Sequence, residues 1–148
     1  MQKITEISAK ETFIVRHPVL RPGKPIESCH FDGDNLPTTK HFGLFLDNKL
    51  TGVISIFETK NNLFDKKNQI QIRGMAVLEN HKKKGLGSAL VIYCETHYKK
   101  QNIDLIWFNA RTEAVVFYEK MGYQKKGTAF DIQGVGEHII MFKEIIKT

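Results

Sequence analysis

The chain has 148 residues, with a formal net charge of +6, a pI near 9.3, 41% hydrophobic and 26% charged residues, the proportions of one ordinary globular domain. At this length a single core buries about 68–70% of the unfolded surface, so no disulfide or metal staple is required. No run approaches about 18 apolar residues, which argues against a membrane span, and the lysines are spread without stacking aromatics between them, which argues against nucleic acid.

In chain order, Gln2 to Ile7 reads as a short strand, and Ser8-Ala9-Lys10-Glu11 is a capping box. It predicts a helix to about His17, because Pro18 disfavours helical backbone in the residue before it. Arg21-Pro22-Gly23-Lys24-Pro25 is a rigid turn, and Ile26 to Lys40, with its CHFDGDNLP string, is the least regular part. His41 to Asp47 and Leu50 to Lys60 form a hairpin across Asp47-Asn48-Lys49. Then Ile70 and Ile72 alternate with Gln69, Gln71 and Arg73, and Met75-Ala76-Val77-Leu78 runs apolar, as in a strand covered on both faces.

A basic loop from Glu79 to Lys84 leads to Gly85-Leu86-Gly87-Ser88 and a helix that gathers Leu86, Ala89, Leu90, Tyr93 and Cys94 on one face. Ile103 to Phe108 is strand-like, Arg111 to Met121 is a second helix with Gly122 at its C-terminal cap, and Tyr123 to Asp131 and His138 to Ile145 close as strands. The result is an α/β fold of order β-α-β-β-β-α-β-α-β-β, one domain over residues 1–148 without repeat or linker. MQKITEISAKE has no apolar signal core, and Cys29 and Cys94 show neither CxxC nor zinc spacing. Reduced thiols, no bound metal and a cytoplasmic setting follow as expectations.

The strand–loop–helix from Gln69 to Leu90 is an anion trap. The first turn of a helix leaves backbone N–H groups unpaired and carries partial positive charge. Gly85 and Gly87 let a ligand approach the backbone, and Lys82, Lys83 and Lys84 add charge at the rim. A pyrophosphate suits such a site. GxxxxGK[ST] is absent, and Gly85-Leu86-Gly87-Ser88-Ala89-Leu90 ends in leucine where the dinucleotide fingerprint needs glycine or alanine.

Met75-Ala76-Val77, followed by Lys82-Lys83-Lys84-Gly85-Leu86-Gly87, resembles the acetyl-CoA motif of the GCN5-related N-acetyltransferase (GNAT) superfamily. The departure is Lys82, where the family usually has arginine or glutamine; lysine keeps the charge but loses the forked contact. Ala114-Val115-Val116-Phe117-Tyr118-Glu119-Lys120-Met121-Gly122-Tyr123 is similar to the family's downstream A-x-x-x-Y-x-x-x-G-[FY] signature, in the expected order. The resemblance implies a single GNAT-like domain, a mixed central sheet flanked by helices that splays after its fourth strand. It also implies acetyl-CoA as co-substrate, and an N-acetyltransferase acting on a primary amine of a small molecule or peptide.

The resemblance further assigns roles. Backbone from Met75 to Val77 would hold the pantetheine arm, an N–H near Met75 would polarise the thioester carbonyl, and Lys82 to Ser88, Leu86 included, would take the pyrophosphate. Tyr118 resembles the tyrosine that protonates the departing thiolate. Seven residues earlier, where the family often has asparagine, stands Arg111, with Asn109 two residues before it; Arg111 would cap the second helix or reach a CoA phosphate. The central strand has no glutamate to serve as base, so His138, on a strand that borders the acceptor in the family, is chosen over His30, Asp32 and Asp34. Cys29 is read as packing and not as a nucleophile. The missing glutamate leaves an alternative, a non-catalytic acyl-CoA-binding or regulatory domain. The oligomeric state stays open, a homodimer included.

Overall fold

The capping box forms as the sequence predicts. In the computed structural model, which describes residues 1–145, Ser8 N–H donates to Glu11 Oε1 at 2.8 Å and Glu11 N–H to Ser8 Oγ at 3.1 Å. The last three residues of the expected domain 1–148 lie outside the described residues. The box joins β1 (Gln2–Ile7) to a 3-10 turn at Lys10–Thr12 and then α1 (Phe13–Leu20). This helix runs past the expected stop at His17, with Pro18 inside it. The proline removes only the N–H that would reach the Ile14 carbonyl, and Ile14 is an exposed residue whose carbonyl solvent can serve. The turn after α1 has Gly23 at φ 74° and closes with Lys24 N–H on the Arg21 carbonyl at 3.2 Å; Pro22 and Gly23 are the pairing a type II turn favours.

Asp47 and Asn48 adopt left-handed backbone, φ 47° and 67°, the two-residue type I′ turn that matches strand twist. It connects β2 (Lys40–Leu46) to β3 (Lys49–Phe57), so Lys49 starts a strand and does not belong to the loop. Next come β4 (Gln69–Val77), α2 (Leu86–Lys99), β5 (Leu105–Arg111), α3 (Val115–Glu119), β6 (Gln124–Ile132) and β7 (Gly136–Glu144). The element order is the expected one. The expected second helix is shorter, however: Arg111 ends β5, and a 3-10 turn at Thr112–Ala114 precedes α3. Gly122, at φ 96°, caps it as predicted, and Tyr123 N–H donates to the Tyr118 carbonyl at 3.1 Å.

Among the described residues the seven strands form one mixed sheet, β1-β2-β3-β4-β5-β7-β6, antiparallel except for β4 beside β5. β3 is buried from Leu50 to Phe57 because both faces are covered. On one face α2 packs Leu90, Val91 and Cys94 against Phe42, Ile54, Ile56, Ile70 and Ile72. On the other, Val15 of α1 packs with Leu50, Val53 and Ala76.

Candidate functional site

β4 and β5 are paired only at Gln69↔Leu105, Ile70↔Ile106 and Gln71↔Trp107; beyond Gln71 the two strands part. The same half of β4 carries a bulge: Val53 faces Ala76 and Ser55 faces Arg73, so Gly74 and Met75 together oppose the single residue Ile54. Gly74 sits at φ 64°, and a Cβ there would lie 2.8 Å from the Phe31 ring, so both conformation and space require glycine. The opening leads into a cavity of about 780 Å³.

The floor of this cavity is β4 at Met75, Ala76 and Val77, and its far end is the start of α2. Gly85 is left-handed, φ 77°, where other residues are strained, and a Cβ at Gly87 would meet Met75 Cε at 3.3 Å. The first glycine therefore sets the turn, and the second leaves room for the end of the Met75 side chain to lie against the helix. Lys82, Lys83, Gly85, Leu86, Gly87 and Ser88 all line the cavity. Lys84 does not, and Lys82 Nζ is engaged with Glu79 Oε2 at 2.9 Å.

Tyr118, on α3, reaches the cavity from the other side of the split, boxed by the rings of Phe108 at 4.4 Å and Phe117 at 4.9 Å between centroids. Burial pushes its phenol up to about 12, so it is protonated at any working pH. Among the described residues its hydroxyl has no hydrogen-bond partner within the protein. His138 also lines the cavity, buried and set against Phe130 at 6.3 Å. Its Nδ1 is 2.8 Å from the Gly136 carbonyl. A carbonyl only accepts, so in the neutral ring Nδ1 carries the hydrogen and Nε2 keeps its lone pair.

Asn109 and Arg111 alternate on the free edge of β5 and line the same cavity, with Arg111 paired across from His138. Arg111 stands at the strand end immediately before the 3-10 turn.

The alternatives for a base lie elsewhere. Asp34 is bound twice by Arg16, Nη1 to Oδ2 at 2.6 Å and Nη2 to Oδ1 at 3.1 Å, with both side chains fully buried. His30 Nδ1 stands 3.7 Å from the same carboxylate, and neither His30, Asp32 nor Asp34 lines the cavity. Cys29 is buried outside the cavity, and burial pushes its thiol up, against the opposing charges of Arg16 and Arg21. The structure adds residues that the sequence did not single out: Arg21, Phe31, His81 and Phe117, together with Arg73, noted there only as a strand residue. They come from separate segments and share no spacing that would betray them.

Among the described residues no helix is long and apolar enough to cross a membrane, and no group of three or more His, Cys, Asp or Glu could hold a metal ion. Residues 2–123 match the model of the acetyltransferase (GNAT) family. The chain is 32% identical over 145 residues, 98% of its own length and 97% of the relative's, to YitI of Bacillus subtilis (strain 168), described as an uncharacterized N-acetyltransferase. Its fold is similar to the ribosomal-protein-S18-alanine N-acetyltransferase of Escherichia coli, with TM-score 0.77, 16% identity, and 100% and 96% of the two chains covered. It is also similar to an aminoglycoside 6'-N-acetyltransferase complexed with coenzyme A, with TM-score 0.75, 16% identity, and 99% and 98% covered.

Proposed function

Because this chain belongs to the acetyltransferase (GNAT) family, we propose that it is an acetyl-CoA-dependent N-acetyltransferase, moving an acetyl group to a primary amine by direct attack on the thioester. One observation carries this reading. A single cavity joins the glycine-opened start of α2, the bulged and unpaired half of β4, and two proton-handling side chains, Tyr118 and His138.

The residues fit the co-substrate. The N–H groups of the first turn of α2, with Lys83 beside them, would receive the diphosphate. The unpaired backbone of β4 offers a ladder for the amides of the pantetheine arm, and the bulge at Gly74 and Met75 leaves an N–H for the thioester oxygen. Arg111 and Asn109 supply donors on the opposite wall. Lys84 is left as a rim charge.

An amine with pKa about 10.4 arrives protonated and must lose that proton before it attacks. His138 Nε2 takes it; the neutral nitrogen bonds to the carbonyl carbon, the carbon–sulfur bond breaks with its electron pair on sulfur, and the second proton of the acylated nitrogen passes to solvent to leave the neutral amide. Tyr118 Oη donates to that sulfur, and the proton follows as charge collects there. The phenolate regains its proton from the imidazolium through solvent.

In Tyr118→Phe, kcat falls about 10²-fold, the low end for a general acid because a thiolate leaves readily, while the Kd for acetyl-CoA changes less than about twofold. Free-thiol release over an amine and peptide panel, with calorimetry alongside, measures both. Unchanged kcat removes Tyr118 from the mechanism. Tight acetyl-CoA binding without turnover of any amine makes the chain a binding domain instead of an enzyme.

A further inference from the structure

The end of the cavity away from α2 is walled by Arg21, at the end of α1, by Phe31, in the irregular segment after it, and by Arg73, on β4. The Arg21 and Arg73 guanidinium carbons stand 5.6 and 5.1 Å from the Phe31 ring centroid, within the range of a cation–π contact. Arg73 is also held 4.8 Å from the Phe57 ring, and its Nη1 donates to the Asp32 carbonyl at 3.2 Å. Arg21 Nη1 donates to the Leu20 carbonyl at 3.0 Å. Each guanidinium thus spends a donor on backbone, and among the described residues neither is in an ion pair with a carboxylate.

The carboxylates nearby do not neutralise this wall. Asp34 is hydrogen-bonded to Arg16; its charge, and after it that of Asp32, opposes the effect of burial on Arg73, but neither carboxylate lines the cavity. Among the described residues the one acidic residue lining the cavity is Glu113, near Arg111.

A bare ammonium, a polyamine or a lysine-rich peptide gains nothing here and is repelled. We propose that Arg21 and Arg73, both set against Phe31, form the acceptor subsite and select an amine that also carries an anion, a carboxylate or a phosphate. Guanidinium matches either anion with a planar pair of donors, and Phe31 holds both groups in place. The same field has a chemical effect. A positive neighbour disfavours the ammonium form, so an amine docked through its anion sheds its proton more easily, which compensates for a central strand without a carboxylate base. This proposal rests on the transferase reading above.

Matched acceptors test it with acetyl-CoA and free-thiol release: phenylalanine against phenylalaninamide and phenethylamine, O-phosphoethanolamine against ethanolamine, and spermidine as polycation. The expected result is a kcat/KM at least about tenfold higher for the anionic member of a pair, and the responding pair tells carboxylate from phosphate. In Arg73→Gln and in Arg21→Gln the KM for that acceptor rises about tenfold or more, kcat falls a few-fold at neutral pH and recovers as pH rises because the docked amine is harder to deprotonate, and the KM for acetyl-CoA stays within about twofold. Arg21→Gln, at a half-buried helix end, keeps the test open should Arg73→Gln fold poorly. Neutral amines or spermidine turned over as well as the anionic acceptors overturn the subsite and leave the transferase reading intact. Acetyl-CoA bound with no amine acetylated overturns the transferase reading, and the subsite with it.

Discussion

Gly87→Glu weakens acetyl-CoA binding about 10³-fold while the far-UV circular dichroism stays that of the parent. A carboxylate in the first turn of α2 meets the diphosphate at the N–H groups that would hold it. Losing two charge-assisted hydrogen bonds, at about 1.5–3 kcal/mol each, spans roughly 10²- to 10⁴-fold in Kd. The fold tolerates the change. A Cβ at this position meets Met75 Cε at 3.3 Å and Sδ at 3.4 Å, the flexible end of a side chain, and Phe117 Cζ at 3.6 Å, an ordinary contact. Negative charge at a helix start also complements the dipole. Gly85 is a poorer test position, because its φ of 77° adds backbone strain to whatever binding is lost. Calorimetric titration with acetyl-CoA decides the matter: a Kd within tenfold of the parent places the diphosphate elsewhere.

Asp34→Ala costs about 3–5 kcal/mol of stability, the range for removing one partner of a buried ion pair. Arg16 is fully buried; without the carboxylate it keeps the Cys29 carbonyl at 2.9 Å, Ser55 Oγ at 2.9 Å and the face of the Phe31 ring at 3.9 Å, none of them an anion. The consequences spread, because Ser55 Oγ is also 2.6 Å from His41 Nδ1, and His41 Nε2 is 2.9 Å from the Asp34 carbonyl. Urea unfolding at neutral pH reads the loss as a lower midpoint at unchanged slope. A loss below about 1 kcal/mol shows that water reaches the pair. The double variant Arg16→Met/Asp34→Leu recovers most of the deficit, since an apolar pair leaves no orphaned charge.

The same carboxylate sets an acid limb. Burial alone raises the Asp34 pKa, but the hydrogen bonds from Arg16 and the Phe31 N–H, with the charges of Arg16 and His41, bring it below its ordinary value. A depressed carboxyl contributes its stability in full above the unfolded value of about 3.9 and loses it as pH falls through the lower folded one. The parent therefore loses this contribution below about pH 4, and Asp34→Ala lacks that part of the slope.

What was legible in the sequence was local chemistry. Ser8 with Glu11, Asp47-Asn48 and Gly122 each announced a cap or turn from a few adjacent residues, and each formed. The family motif from Met75 to Ser88 is contiguous, so its cavity wall could be named, Lys84 excepted. Boundaries set by distant partners could not. Arg111 to Met121 has helical spacing, yet Arg111 pairs with His138, and the antiparallel ladder between β5 and β7 holds it in the strand. The parting of β4 from β5 was expected only by resemblance; its local cause, the bulge at Gly74, depends on a backbone angle that no letter prints. Arg21, Phe31 and Arg73 meet only after α1, the irregular segment and β4 have packed.

Three residue pairs are all that stitch β4 to β5, so the sheet has a seam, and the cavity lies along it. A molecule lodged there touches both leaves and works as a rivet, lending its own affinity to the weakest join. By mass action a ligand at 100 times its Kd adds about 2.7 kcal/mol to the folded state. Melting temperature thus becomes a gauge of occupancy, able to rank thioesters and acceptors before any of them reacts.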